Sequence, residues 1–283
     1  MLLRVQKGFK FLHDVSKLKL LWKGNVCKED LDCIIYGSDE IWNLENEYFA
    51  EDLFWGIGIP KQIRKVAYAI SAGPMTVEAF LGSGKYADSV KTFDGLLPRD
   101  VNTQNILYEL CGKEFPIVGD PTLLIPVSKL SKTIKLPSHK YMLVYTYGLN
   151  PCMIEVVRQY AKKHNLLIVS PCFWHLWADK VIECSALQFS TLIAHAECVF
   201  TTTFHGAIFT MLNHKRCCIM PVREKVRDVV VRLGENIHLI EEGLTQEAFE
   251  QVMSIPYDTD EFEKRLLDFR KYSTALFNQT LNF

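Results

Sequence analysis

The sequence has no run of about 18 consecutive apolar residues, the length that a helix needs to cross a membrane. It has no excess of charge of either sign, since 32 Lys and Arg stand against 33 Asp and Glu. A nucleic-acid interface, which needs positive charge against phosphate, is therefore not expected. The N-terminal stretch mixes basic with apolar residues, which is not the pattern of a signal peptide.

No two of the nine cysteines are spaced as C-x-x-C. The adjacent pair Cys217 and Cys218 suits neither a tetrahedral zinc site nor an easy disulfide. Several cysteines lie within apolar stretches, where a free thiol packs like a small core residue. We therefore expect buried free thiols, no metal site, and a cytoplasmic location in which thiols remain reduced.

The common nucleotide, zinc-protease and serine-hydrolase motifs are also absent, namely the P-loop, G-x-G-x-x-G, H-E-x-x-H and G-x-S-x-G. What remains is an ordinary globular composition, with 48% hydrophobic and 23% charged residues. Residues 1–23 predict an amphipathic helix with many lysines. Such a helix either covers the surface of the first domain or lies peripherally on the inner face of a membrane.

Short apolar stretches alternate with amphipathic ones, which is typical of an α/β fold whose parallel strands are buried on both faces. The predicted strands are 32–37, 65–71, 93–98, 115–124, 141–148, 166–171, 198–202 and 216–220. The predicted helices are 75–90, 100–112, 151–164, 186–197, 204–214 and 260–280. A polar linker at 126–140 predicts two Rossmann-like domains that face a cleft, 1–128 and 129–283, the second including the C-terminal helix.

Two candidate motifs follow predicted strands of the first domain, at the carboxyl ends where α/β sheets bind ligands. In the first, Gly37, Ser38 and Asp39 end a strand, and Asp39 either contacts a sugar hydroxyl or caps a helix. In the second, Arg99 either binds an anion or pairs with Asp100 on the surface.

Two further motifs complete the set. Gly119 to Thr122 is predicted to be a structural turn in which Asp120 acts as the cap. Thr201, Thr202 and Thr203 run into His205 and Gly206 at a helix N-terminus, where hydroxyls and amides favour an anion. Gly206 is expected to let a ligand approach the backbone closely.

Taken in order, five segments resemble the polysaccharide pyruvyl transferase family: GSDEIWN (37–43), KVAYAISAGP (65–74), PRD (98–100), DPTLLI (120–125) and TTFHGAIF (202–209). The resemblance implies two Rossmann-like domains of the glycosyltransferase B (GT-B) type. It implies transfer of the pyruvyl group of phosphoenolpyruvate to two hydroxyls of a saccharide, giving a ketal in polysaccharide biosynthesis. Phosphoenolpyruvate is then the donor substrate, the saccharide acceptor is a lipid-linked repeat unit or a polymer, and no cofactor is expected.

By the same resemblance, His205 is the general acid or base and Arg99 contacts the donor. Asp39 serves as the candidate base for the attacking hydroxyl. Thr203 stands where some family members have Arg, so donor binding is expected to involve Arg99, Lys215 or Arg216.

Family members usually begin with a strand and a loop that this sequence does not show, so a first β-loop-α unit is expected to be missing. Two alternative functions remain open at this point. They are a nucleotide-sugar-dependent glycosyltransferase on the same architecture and a truncated remnant without catalytic activity.

Overall fold

The structure, a computed structural model, describes residues 31–47, 50–129, 131–241 and 243–282. The helix predicted at 1–23 lies outside these residues. The described chain forms two compact units: the first unit comprises 31–124 with 265–282, and the second unit comprises 125–264. Within the described ranges, no helix combines the length and the apolar character needed to span a membrane.

The first unit is built on a parallel sheet in which β2 lies between β1 and β3. Its strands are β1 (Cys33–Tyr36), β2 (Arg64–Ile70) and β3 (Gly95–Pro98), and its helices are α1 (Val77–Leu81), α2 (Lys85–Val90), α3 (Val101–Cys111) and α4 (Pro121–Leu124). A short 3₁₀ helix spans Asp52–Trp55. Trp42, Trp55 and Phe80 are fully buried, and the two indole rings stack 5.8 Å apart. These rings form the centre of the core that supports the sheet.

The second unit is built on a parallel sheet with the strand order β6-β5-β4-β7-β8. Its strands are β4 (Tyr141–Tyr145), β5 (Leu167–Pro171), β6 (Lys180–Ile182), β7 (Cys198–Thr201) and β8 (Cys217–Ile219). Its helices are α5 (Pro151–Lys163), α6 (Ala186–Ala194), α7 (Phe204–Leu212), α8 (Glu224–Arg232) and α9 (Gln246–Ser254), with 3₁₀ helices at Val127–Lys129 and Asn236–His238. Counted from β4, this is the 3-2-1-4-5 order of Rossmann folds.

The long helix α10 (Thr259–Leu281) returns the chain to the first unit from Arg265 onward. The guanidinium of Arg64 donates to the carbonyls of Thr280 and Leu281, both at 2.7 Å, and so binds the helix C-terminus. Ser273 accepts a hydrogen bond from the amide of Gly119 at 2.9 Å. The predicted domains placed this helix in the second domain and the boundary at 128/129, whereas the structural units change at 124/125 and 264/265.

Most predicted elements are present, and three kinds of difference stand out. The strand expected within 115–124 is absent from this described segment, which is irregular up to the short helix α4. Strand β6 and the helices α8 and α9 were not predicted. The cysteines are less uniformly buried than expected, because Cys152 is exposed and the thiols of Cys33, Cys111, Cys172 and Cys184 are only partly covered.

Candidate active site

The carboxyl ends of β4 and β7 meet where the strand order of the second unit reverses. The two strands pair in parallel, with Val144 opposite Phe200 and Tyr145 opposite Thr201. In open α/β sheets this reversal point is the usual place for a ligand, because the connections on its two sides diverge and leave a crevice. The residues that follow the two strands, starting at Thr146 and Thr202, are therefore the first candidates for function.

Three consecutive threonines tie these two strand ends together. The hydroxyl of Thr201 donates to the carbonyl of Tyr145 at 2.7 Å, and the hydroxyl of Thr202 donates to Thr146 Oγ1 at 2.8 Å. Thr203 Oγ1 accepts a hydrogen bond from the amide of Gly206 at 3.1 Å, which makes Thr203 the N-cap of α7. All three side chains are buried. Their hydroxyls fix the turn that carries the motif, and the expectation that Thr202 and Thr203 also contact substrate stays a prediction.

Gly206 is required by this turn for a different reason from the expected one. A Cβ at this position would stand 2.1 Å from Thr201 Oγ1 and 2.6 Å from Thr203 Oγ1. Because the space beside the glycine is filled by the threonine side chains, it is not the place of a ligand. The expectation that Gly206 opens the backbone to substrate is therefore replaced by a packing role.

His205 occupies the first turn of α7 and is partly exposed. Its ring meets the ring of Phe204 edge-on, with the centroids 5.3 Å apart. Lys225 of α8 also contacts Phe204, and its Nζ lies 5.5 Å from the centroid of the Phe204 ring. A helix N-terminus carries partial positive charge, and together with Lys225 it makes the surroundings of His205 favourable for an anion.

An aromatic loop, which we define as residues 173–177, lies beside this turn. It follows β5, and His175 Nε2 lies 3.0 Å from the carbonyl oxygen of Thr146. Because a carbonyl only accepts hydrogen bonds, this nitrogen carries the proton. The ring of Phe173 contacts that of Tyr147 at 5.3 Å. Tyr147 and Trp174 are 77% and 57% exposed, so aromatic surface is open to solvent at this edge of the sheet.

Lys215 is not brought to this edge. It precedes β8, whereas the threonine motif follows β7, and the two strands run parallel with Val199 opposite Cys217. Lys215 and Arg216 therefore lie at the amino end of the sheet. A cavity of about 650 Å³ at that end is lined by Val127, Ser128, Ser131, Lys132, Thr133, Ser190, Thr191, Ala194, His195 and Asn213. It shares no residue with the motif around His205.

In the first unit, Arg99 forms a buried ion-pair cluster. Its two terminal nitrogens contact Asp120 Oδ2 at 2.8 Å and Asp39 Oδ1 at 3.0 Å. The side chains of Arg99 and Asp120 are 2% and 1% exposed, and that of Asp39 is 52% exposed. Burial lowers the pKa of Arg99, but the carboxylates of Asp120 and then Asp39 outweigh it and hold the pKa above its ordinary value. The alternative of a surface pair with Asp100 is wrong.

The segment after β1 is shaped by close contact with β2. The φ of Gly37 is +131°, and a Cβ there would lie 2.0 Å from the carbonyl oxygen of Tyr68. Ser38 Oγ lies 3.5 Å from Asp120 Oδ2, and Asp39 forms an isolated bridge with Ile70. The segment is therefore an extension of the sheet rather than a helix cap, and it brings Ser38 and Asp39 to Arg99.

The two predicted caps are confirmed. Asp100 is the N-cap of α3, and its Oδ1 accepts hydrogen bonds from the amide and the hydroxyl of Thr103 at 2.8 and 2.7 Å. Asp120 Oδ1 accepts from the amide and the hydroxyl of Thr122 at 3.0 and 2.6 Å. One oxygen of Asp120 thus holds the turn while the other holds Arg99.

Sequence reasoning missed three features of these clusters. The role of Asp120 as the partner of Arg99 depends on a contact between residues 21 positions apart. His175 could have been found, because it follows a predicted strand just as the other motifs do. Lys225 does not follow a predicted strand, so no sequence pattern marked it as a candidate. Its position next to Phe204 depends on the packing of α8, a helix that was not predicted.

The Arg99 cluster predicts unequal costs for two substitutions. Arg99→Met leaves the buried carboxylate of Asp120 without a cation and should lower the free energy of unfolding by about 3–5 kcal/mol. Asp39→Asn removes only the half-exposed partner and should cost about 0–1 kcal/mol. Urea unfolding of both variants measures the difference, and equal small losses would show that Arg99 is not held as described.

The packing of Gly206 predicts a second pair of outcomes. Gly206→Ala should destabilise the protein by about 1–3 kcal/mol through overpacking against Thr201, although alanine normally favours a helix. The matched control is Gly148→Ala, since a Cβ at Gly148 meets no atom within 4 Å. Thermal unfolding compares the two variants, and a Gly206→Ala protein as stable as the control would contradict this packing.

Comparison with solved structures shows the fold. An α,α-trehalose-phosphate synthase (UDP-forming) of Burkholderia xenovorans is 10% identical with a TM-score of 0.53, covering 89% of this chain and 74% of its own. A Listeria monocytogenes protein assigned as UDP-N-acetylglucosamine 2-epimerase is 12% identical with a TM-score of 0.50, covering 86% and 74%. These similarities confirm the predicted α/β fold of the GT-B type. Among curated proteins, no sequence matches this chain.

Comparison with protein families addresses function more directly. Residues 3–223 match the family described as polysaccharide pyruvyl transferase. The match spans most of the sequence and includes both the Arg99 cluster and the motif around His205. The chain belongs to the polysaccharide pyruvyl transferase family.

Proposed function

We propose that this chain transfers the pyruvyl group of phosphoenolpyruvate to two hydroxyls of one saccharide, forming a cyclic ketal and releasing phosphate. The enol carbon forms two C–O bonds and loses its bond to the phosphate oxygen. Of the two hydroxyl protons, one ends on the methylene carbon, which becomes a methyl group, and the other leaves with phosphate. The reaction therefore needs a group that moves protons and a cationic environment for the donor.

The observation that carries the proposal is the position of His205. It lies in the first turn of a helix that begins at the reversal point of a Rossmann sheet, in a chain of the pyruvyl transferase family. An imidazole titrates near neutrality, so it can both give and accept a proton. Partial exposure leaves the ring accessible to a substrate, while the buried threonines hold the backbone that carries it.

In this proposal His205 donates the proton that converts the methylene carbon to a methyl group. Protonation at that carbon leaves an oxocarbenium-like centre, which a sugar hydroxyl then attacks. His205 regains a proton from an attacking hydroxyl, so the imidazole returns to its starting state after each turnover.

The donor carries a carboxylate and a phosphate, and Lys225 is the proposed cation for one of them. Its ammonium group lies over the ring of Phe204, the neighbour of His205. Lys225 takes the place that sequence reasoning gave to Lys215, which lies at the other end of the sheet. The amide-rich N-terminus of α7 supplies further positive potential.

Asp39 is the proposed contact of the first unit with a saccharide hydroxyl. About half of its side chain is exposed, and Arg99 holds one of its oxygens in place. Arg99 is better suited to positioning Asp39 than to binding the donor itself, because both of its terminal nitrogens already contact carboxylates.

The first functional prediction concerns His205. The purified chain should release phosphate from phosphoenolpyruvate only when a galactose- or mannose-type acceptor is present. His205→Ala should reduce this rate by about 10²–10⁴-fold, because the proton donor is lost. The matched control is His139→Ala, which removes an exposed histidine of the same unit and should leave the rate unchanged.

Three results would count against this function. An unchanged rate in His205→Ala would remove His205 from the mechanism. Failure of the intact chain to release phosphate with any acceptor would favour a remnant without activity. Protection against heat by a nucleoside diphosphate, but not by phosphoenolpyruvate, would favour a glycosyltransferase.

The second functional prediction concerns Lys225. Lys225→Met should raise the KM for phosphoenolpyruvate by about 10–100-fold, because a charge-assisted contact is lost, and should change kcat much less. Lys140→Met is the control, because Lys140 is exposed and precedes β4, at the amino ends of the strands, whereas His205 follows a strand at the carboxyl ends. Steady-state kinetics with varied donor concentration separates the two parameters, and equal KM values in both variants would exclude Lys225 from donor binding.

A further inference from the structure

Two thiols approach each other on either side of the segment 173–183, which contains the aromatic loop. Cys172 Sγ and Cys184 Sγ are 3.5 Å apart. Cys172 directly follows β5, and Cys184 lies two residues beyond β6. The amide of Cys172 donates to the carbonyl of Ile182 at 2.9 Å, so the backbone joins the ends of these neighbouring strands. The proximity of the thiols is therefore built into the sheet.

Three of the other described cysteines differ from this pair by their burial. Burial raises the pKa of Cys198 to about 12, and it also raises the pKa values of Cys217 and Cys218. These three thiols are buried and hence unreactive, since the thiolate is the reactive form. Cys172 and Cys184, in contrast, are both partly exposed, so a small reagent can reach them.

We propose that Cys172 and Cys184 form a reversible dithiol–disulfide site that closes a covalent ring around residues 173–183, the segment that contains the aromatic loop. The oxidant is a low-molecular-weight disulfide. One thiolate attacks the external disulfide, forms a mixed disulfide and releases one thiol. The second thiolate attacks the bound sulfur, closes the Cys172–Cys184 bond and releases the other thiol. The two electrons of the pair reduce the external disulfide, and the two S–H protons end on the released thiols.

The geometry requires little movement for this step. The sulfurs must approach from 3.5 Å to about 2.05 Å, the length of a disulfide bond. The two cysteines follow paired strands, since Pro171, directly before Cys172, lies opposite Ile182, two residues before Cys184.

Closing the bond would enclose residues 173–183, which include the aromatic loop. His175 of this loop contacts Thr146, which accepts the hydrogen bond of Thr202. The cross-link therefore restricts the conformations of the aromatic loop, whose exposed rings lie beside the threonine turn. This site is independent of the pyruvyl-transfer reaction, because it requires no substrate.

The direct test is a peptide map of the folded full chain after incubation with glutathione disulfide and alkylation of the remaining thiols. The expected result is one internal disulfide that joins the peptides of Cys172 and Cys184, reversed by dithiothreitol. Full alkylation of both cysteines, or glutathione retained on either one in the wild-type chain, would overturn the proposal. This measurement needs no variant, so it does not depend on how a variant folds.

Variants then test the pairing. In Cys172→Ser the resolving thiol is absent, so Cys184 should retain glutathione as a mixed disulfide. The control Cys152→Ser removes an exposed cysteine outside the pair and should form the internal disulfide as the wild type does. Loss of the disulfide in the Cys152→Ser chain would contradict the assignment.

Chymotrypsin reports on the loop itself, because Trp174 and Leu176 are exposed cleavage positions. Oxidation should slow cleavage within 173–177 by roughly tenfold or more, since the cross-link removes open conformations of the loop. In Cys184→Ser the oxidant should have no such effect. Equal cleavage of the oxidised and reduced wild-type chain would show that the bond does not restrain the loop.

Discussion

The parallel pairing of β4 with β7 is the contact on which the candidate site of the second unit depends. It sets Tyr145 opposite Thr201, so the residues that follow both strands leave the sheet side by side. A slip of one residue would turn every side chain of β7 to the other face of the sheet. The hydroxyl of Thr201, bonded to the carbonyl of Tyr145, holds this register at the strand end. The position of His205 follows from it.

The Arg99 cluster and the motif around His205 each combine residues that build the local structure with one residue that we propose for the chemistry. Around His205, the threonines and Gly206 fill the interior of the turn, and the histidine is the residue that reaches the surface. In the first unit, Gly37 and Asp120 shape the loops, and Asp39 has the half-exposed carboxylate. In both clusters a buried network of hydrogen bonds is rigid and so fixes the orientation of one solvent-accessible side chain, His205 in one and Asp39 in the other.

Strands and caps were predictable where local signals are strong. The apolar stretches that became β2, β4 and β7 needed no tertiary information, and Asp100 was recognisable as an N-cap from its place before a periodic segment. Helix α9 could have been found as well, because Thr245 precedes it as the N-cap. Strand β6 could not, since it is three residues long and only partly buried.

Other features depend on contacts that no local pattern encodes. The segment before α4 has the apolar character of a strand but makes a single backbone bond to β3, from Val118 to Pro98. The pairing of Arg99 with Asp120 and the place of Lys225 over Phe204 arise from packing between elements that are separated in the sequence. The approach of Cys172 to Cys184 arises from the pairing of β5 with β6. For such groups a sequence predicts the chemistry that is available but not the partner that each group meets.

The bond between Arg64 and the end of α10 has a consequence for synthesis on the ribosome. The guanidinium of β2 meets carbonyls more than two hundred residues later in the chain. The first unit begins to emerge early, yet the helix that covers Gly119 and Tyr68 is made last. Until α10 is synthesised, the sheet of the first unit keeps an apolar face exposed to solvent. The second unit is already synthesised by then and can fold. The unit that is synthesised first is thus the one that is completed last.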